Sequence, residues 1–202
     1  MNKKIILASQ SPRRKELLQG LGLSFIVISS SVDEEEAVLT LNPQSPEALV
    51  RMLSDIKVQD VAKHQHEGII IGADTIVVLG NQILGKPKDE ADARNMLKQL
   101  SGNTHLVISG VTIMDVVSQQ KETFHVNTEV DFKTISESEL AGYLRIANYM
   151  DKAGSYAVQE HGALFVTGIR GCFYNVVGLP IYQTGQTLKK FGIDILGNPE
   201  LV

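Results

Sequence analysis

The chain has 202 residues, 43% of them hydrophobic, with 23 acidic against 19 basic side chains and a formal net charge of −4. That is enough apolar material for a proper core, in one domain or in two lobes around a cleft, and the net acidity with a pI near 5.7 argues against a protein whose main task is to grip nucleic acid. A single cysteine, Cys172, excludes an internal disulfide and a cysteine-based zinc site and fits a reducing cytoplasm, while the apolar start Ile5-Ile6-Leu7-Ala8 is too short for a signal peptide or a membrane span.

Lys4 to Ala8 is expected as a strand, followed by a helix with Ser11 as N-cap, Pro12 at its first position and Gly20 or Gly22 as its stop. Arg13 and Arg14 then fall in the first turn, where the helix already carries partial positive charge and exposed amides. A bound anion, phosphate being the natural candidate, would reconcile the two; the alternatives are pairing with a carboxylate such as Glu16, or solvent. Ser24 to Ile28 reads as a second strand running into Asp33-Glu34-Glu35-Glu36, an acidic run that is ordinarily a solvated loop or helix start. From Ser45-Pro46 a helix should run to about His64, with Leu49, Met52, Leu53, Ile56 and Val61 as its apolar stripe. Lys57 lies on it, and nothing local lifts that lysine above the usual solvated one.

The run from Ile69 to Leu79, apolar and rich in β-branched residues between Gly68 and Gly80-Asn81, reads as a buried strand. Asp74 and Thr75 sit in its middle. A carboxylate there must be paired, hydrogen-bonded, bound to metal or protonated, and either a structural bond to backbone amides or a catalytic or metal-binding role would meet that need. Gly72 and Ala73 leave room beside it, by this reading for a ligand. After a turn at Gly80-Asn81, Gly85-Lys86-Pro87 is extended, with Lys86 fixed by its neighbours; it is no Walker loop, lacking the following Ser or Thr. Asp89 caps a helix to about Leu100. Leu106 to Val117 and Glu122 to Phe132 read as an antiparallel pair, and Ser136 with Glu139 forms a capping box. A donor-rich loop spans Asp151 to Gly162, Ala163 to Thr167 is a strand, and a last helix runs from Pro180 to about Phe191. The fold class is mixed α/β, with hairpins too prominent for a fully parallel sheet. Neither a histidine metal motif nor a nucleophile elbow occurs, which leaves phosphate chemistry: cations, a buried Asp and an acidic loop.

Ala8-Ser-Gln-Ser-Pro-Arg-Arg14, Gly72-Ala-Asp-Thr75, Gly85-Lys-Pro87, Asp151-Lys-Ala-Gly154 and Gln159, in that order, resemble the motif set of the Maf nucleotide pyrophosphatases. The resemblance implies one Maf-like domain over residues 1–202, with two lobes around one cleft, in a mixed-sheet α/β fold similar to that of the inosine-triphosphate pyrophosphatases. It implies hydrolysis of a nucleoside triphosphate to the monophosphate and pyrophosphate with a divalent cation, Mg²⁺ or Mn²⁺; the net acidity and the short apolar start add the expectation of no nucleic-acid or membrane partner. A homodimer is a further expectation. Carried onto this chain, Asp74 matches the proton acceptor, with Lys86 beside it in the catalytic set. Ser9, Arg13, Arg14, Lys57, Thr75, Lys152 and Gln159 match substrate-binding positions, and Glu34 with Asp74 matches the metal ligands. Tyr156-x-x-Gln159 is similar to the branch acting on dTTP and UTP, rather than the one acting on 7-methyl-GTP. Two departures stand out: Val58 where alanine usually follows the helix lysine, and Glu160 where glycine usually follows the glutamine. The family's association with septum formation suggests a rival of another class, a non-enzymatic nucleotide-binding regulator of division.

Overall fold

A computed structural model describes residues 3–197, without the side chains of Glu35 and Leu41. The strands are β1 (Ile5–Leu7), β2 (Phe25–Val27), β3 (Ile69–Leu79), β4 (Gln82–Leu84), β5 (Thr104–Asp115), β6 (Lys121–Phe132) and β7 (Val166–Arg170). The helices are α1 (Pro12–Gly20), α2 (Glu34–Leu41), α3 (Pro46–Ala62), α4 (Glu90–Leu100), α5 (Glu137–Ile146), α6 (Phe173–Val177) and α7 (Ile181–Lys190). The strands form one mixed sheet in the order β2-β1-β3-β5-β6-β7, with β4 paired to β3 off that path. β1 runs parallel to β2 and β3, whereas β3–β4 and β6–β7 are antiparallel. The expectation of a mixed α/β architecture holds.

The local signals explain most boundaries. Ser11 Oγ accepts the Arg14 N–H and Pro12 opens α1. Ser45 and Asp89 cap α3 and α4 in the same way, and the reciprocal Ser136–Glu139 capping box opens α5. β5 stops at Asp115, two residues before the expected end, because Asp115 Oδ1 accepts the Val117 and Ser118 N–H groups and turns the chain. The strand expected from Ala163 lies later. Residues 161–165 form a 3₁₀ turn, and pairing with β6 starts at Val166, with Glu129 opposite Arg170. α6 was not among the expected elements.

By internal packing the chain divides into two units. One holds residues 1–74, 109–126 and 178–202; the other holds 75–108 and 127–177. β3 therefore passes from one to the other between Asp74 and Thr75. In the first unit the alternation of side chains along β1 and β3 builds two cores. Ile5, Leu7, Ile69, Ile71 and Ala73 face Leu18, Leu179 and Leu188, while Ile6, Ala8 and Ile70 face Val58 and Val61 of α3. The same period of two puts Gly72 and Asp74 on the α3 side with Ile70. A Cβ built at Gly72 would lie 2.5 Å from Val58 Cγ2 and 2.8 Å from Ser54 O, and one at Gly110 of β5 would lie 2.3 Å from Val50 O. These two glycines let α3 lie directly on the sheet, and Ser54 and Thr112 hydroxyls bond across the contact at 2.9 Å.

In the second unit the core is aromatic. His105, Phe132 and Tyr156 meet edge to face at 4.8–5.5 Å between ring centres, with Phe165 and Tyr143 continuing the stack. Among the described residues no helix is long and apolar enough to cross a membrane.

Candidate active site

The close approach of α3 decides what Asp74 meets. Lys57 precedes Val58, the residue nestled over Gly72, so its side chain runs toward β3 one pleat on. Its Nζ donates to Asp74 Oδ1 at 2.7 Å and lies 2.8 Å from Glu34 Oε1 at the start of α2. Lys57 and Asp74 are 8% and 7% exposed. The buried carboxylate is thus answered by a buried ammonium, with a second carboxylate on its other side. Asp74 Oδ2 is bonded by no described residue.

Two expectations are corrected here. Lys57 is not a solvated helix lysine; its environment comes from β3, 17 residues further on. The space beside Gly72 does not serve a ligand, because α3 fills it, and Val58, the larger residue where alanine is common, is what fills it.

Ser9 and Arg14 form the neighbouring part of the same unit. Arg14 Nη1 donates to Ser9 Oγ at 3.1 Å, and Nε donates to the Gly178 carbonyl at 2.9 Å. Burial lowers the pKa of Arg14, the negative charges of Asp74 and Glu34 oppose that, and Arg13 adds to the lowering. The guanidinium thus has two neutral acceptors, Ser9 Oγ and the Gly178 carbonyl, and lies within the field of the two carboxylates. Arg13 is half-buried in the first turn of α1.

The remaining four candidates lie in the second unit. Thr75 is half-buried in β3. Lys86 is exposed, and its neighbour Gly85 has nothing within 4 Å of an added Cβ. Lys152 is 3% exposed and fully engaged: Nζ donates to the Asn148 carbonyl and to Asp151 Oδ1 at 2.9 Å, and lies 3.4 Å from Glu160 Oε1. Every partner of Lys152 named here lies within residues 148–160. Glu160, the departure from the family pattern, is one of its partners. Gln159, beside it, is exposed on the turn and its amide bonds no described residue.

For a divalent cation the donor chemistry fits. Glu34 and Asp74 bring carboxylate oxygens to within 2.8 Å of the same Lys57 ammonium, so two hard oxygen donors flank that lysine. Among the described residues no three His, Cys, Asp or Glu side chains gather to hold a metal alone. A two-carboxylate set suits Mg²⁺ or Mn²⁺, which completes its shell with water and phosphate oxygens.

What sequence reasoning missed were the partners that hold these groups: the Gly178 carbonyl accepting from Arg14, Glu160 beside Lys152, and Lys57 donating to Asp74. Separations of 164 and 17 residues leave no local pattern to read.

The Maf-like protein family model matches residues 4–191. The chain is 46% identical over 187 residues to a dTTP/UTP pyrophosphatase of Clostridioides difficile (strain 630), covering 93% of this chain and 94% of that one. It is 43% identical over 194 residues to a dTTP/UTP pyrophosphatase of Pelotomaculum thermopropionicum (strain DSM 13744 / JCM 10971 / SI), covering 96% and 100%. Among solved structures, a nucleoside-triphosphatase / dITP/XTP pyrophosphatase from Mycobacterium abscessus aligns with a TM-score of 0.44 at 14% identity, over 93% of this chain and 98% of that one. With the family model spanning nearly its whole length and relatives this similar end to end, the chain belongs to the Maf-like protein family.

Proposed function

We propose that the protein hydrolyses nucleoside triphosphates to the monophosphate and pyrophosphate, with dTTP and UTP as its substrates. The observation that carries the reading is the buried carboxylate of Asp74, held on one oxygen by Lys57, with Arg14 in its field. Curated relatives named dTTP/UTP pyrophosphatase, 43–46% identical along almost the whole chain, support the substrate pair.

In this reading Asp74 Oδ2 accepts the proton of the water that cleaves the α–β anhydride, and pyrophosphate leaves. Lys57 keeps the carboxylate in one orientation through Oδ1, which costs no reorganisation at the moment of reaction. Arg13, Arg14 and Lys86 balance the charge of the phosphates, and Ser9 orients Arg14 by accepting from its guanidinium. Thr75 and Gln159 choose the base. Glu34 and Asp74 would hold a divalent cation, which when bound supplies charge neutralisation at the phosphate oxygens. Lys152 is assigned to shaping the loop that carries Gln159.

The test is a panel of UTP, dTTP, CTP, GTP and 7-methyl-GTP with magnesium, reading released pyrophosphate. Wild type should turn over UTP and dTTP best, and Asp74→Asn should lose about 10²- to 10⁴-fold in kcat with smaller change in KM. Nucleotide binding without turnover by the wild type would instead favour the regulator of division, and preference for 7-methyl-GTP would favour the other branch.

A further inference from the structure

The approach of Glu34 to Lys57 depends on a loop, residues 29–33, that has little apolar anchorage of its own. Ser29 and Ser31 are exposed, Ser30 between them is half-buried, and residues 29–33 belong to no strand or helix. One carboxylate holds Ser30 and Ser31. Asp60 Oδ2 accepts the Ser31 N–H at 2.8 Å and the Ser30 and Ser31 hydroxyls at 3.1 Å each, and Ser30 Oγ in turn accepts the Val32 N–H at 3.2 Å. Asp33 then caps α2 by accepting the Glu36 N–H, and Glu34, next in the chain, reaches Lys57.

Asp60 stands three residues after Lys57 on α3, so both lie on the same side of that helix. The helix face that presents the ammonium to Glu34 therefore also presents the acceptor that fixes the loop leading to Glu34. Bonds from a backbone N–H and two hydroxyls to an ionised oxygen are of the stronger, charge-assisted kind. The Asp60 side chain is 18% exposed, and its contact with Lys63 at 3.8 Å is long and on the solvent side, so the serines are its principal partners.

We infer that Asp60 is a positioning residue: it clamps residues 30–32 onto α3 and so sets where Glu34 stands relative to Lys57 and Asp74. Asp60 touches none of the reacting groups itself. The functional part of this inference rests on the proposed pyrophosphatase reaction; the clamp does not.

The experiment compares wild type with Asp60→Ala, Asp60→Asn and, as a control that removes only the exposed contact, Lys63→Ala. Amide hydrogen exchange of the folded proteins should quicken over residues 30–41 in Asp60→Ala, less in Asp60→Asn, which keeps an acceptor, and not at all in Lys63→Ala. Loss of a group that orients a ligand typically costs about 10- to 100-fold, so the magnesium concentration for half-maximal pyrophosphate release should rise by about that factor. Adding Asp60→Ala to Glu34→Ala should cause no further loss, because the clamp acts only through Glu34. Unchanged exchange over 30–41, or losses that multiply in the double variant, overturns the inference. If Asp60→Ala does not fold, Asp60→Asn carries the same comparison. Should the wild type release no pyrophosphate from any nucleotide, the proposed function fails, and the exchange comparison still decides the clamp.

Discussion

Lys57 Nζ donates to Asp74 Oδ1 across 2.7 Å, with the side chains of both partners only 11% and 10% exposed. Breaking such a pair from one side leaves an uncompensated charge in a poorly solvated place. Lys57→Met should cost about 3–5 kcal/mol in urea unfolding, and Lys57→Met with Asp74→Leu should recover much of it while restoring no turnover. A Lys57→Met protein as stable as wild type would show that Asp74 finds another partner or water.

The approach of α3 to the sheet has its own test. Gly72→Ala places a methyl group 2.5 Å from Val58 Cγ2 and 2.8 Å from Ser54 O, so the helix must move outward. Overpacking of this kind costs about 1–3 kcal/mol. Because Lys57 travels with the helix, kcat should fall more than stability alone explains. Gly142→Ala, in α5 with nothing within 4 Å of the added carbon, should instead stabilise by up to about 1 kcal/mol, and thermal melts of the two variants side by side check the contrast.

His105 makes stability depend on pH. Its Nε2 is 2.7 Å from Tyr156 OH and its Nδ1 has no partner among the described residues, and burial pushes its pKa down from 6.5 to about 4, against a weaker opposing pull from Asp131. The unfolded chain therefore binds a proton that the folded chain refuses. The neutral ring's contribution is fully present above about pH 6.5 and is lost as pH falls toward 4, by at most about 3 kcal/mol. Subtracting the pH profile of His105→Phe from that of wild type isolates this slope from the carboxylates; a flat difference between pH 4 and 6.5 would mean that the ring protonates normally.

Gln159 and Glu160 separate base choice from loop anchoring. An unmatched polar edge costs about 1–3 kcal/mol, so Gln159→Ala should lose tenfold or more on UTP and dTTP and less on nucleotides that wild type handles poorly. Glu160→Gly removes a partner of Lys152 at 3.4 Å and should narrow the preference for pyrimidines with little change in melting temperature, since the glutamate side is 43% exposed. Equal losses across the nucleotide panel for Gln159→Ala would remove it from base recognition.

Much of this protein is written locally. Ser11-Pro12, Ser45-Pro46, Asp89 and Ser136-x-x-Glu139 are capping signals, complete within a few residues, and the helices begin where they stand. The β-branched run of β3 and the demand that Asp74 be answered were equally legible, because a charge among buried isoleucines is a contradiction visible in one dimension. The identity of the answering group was not. Lys57 looks like any helix lysine until α3 lies on the sheet, and it lies there because Gly72 and Gly110, on different strands, together leave no Cβ in its path. The same holds for Arg14 with Gly178 and for Asp60 with Ser31. Local pattern reports what a residue needs; which partner meets the need is decided by packing between segments far apart in the chain, and only the folded structure contains that.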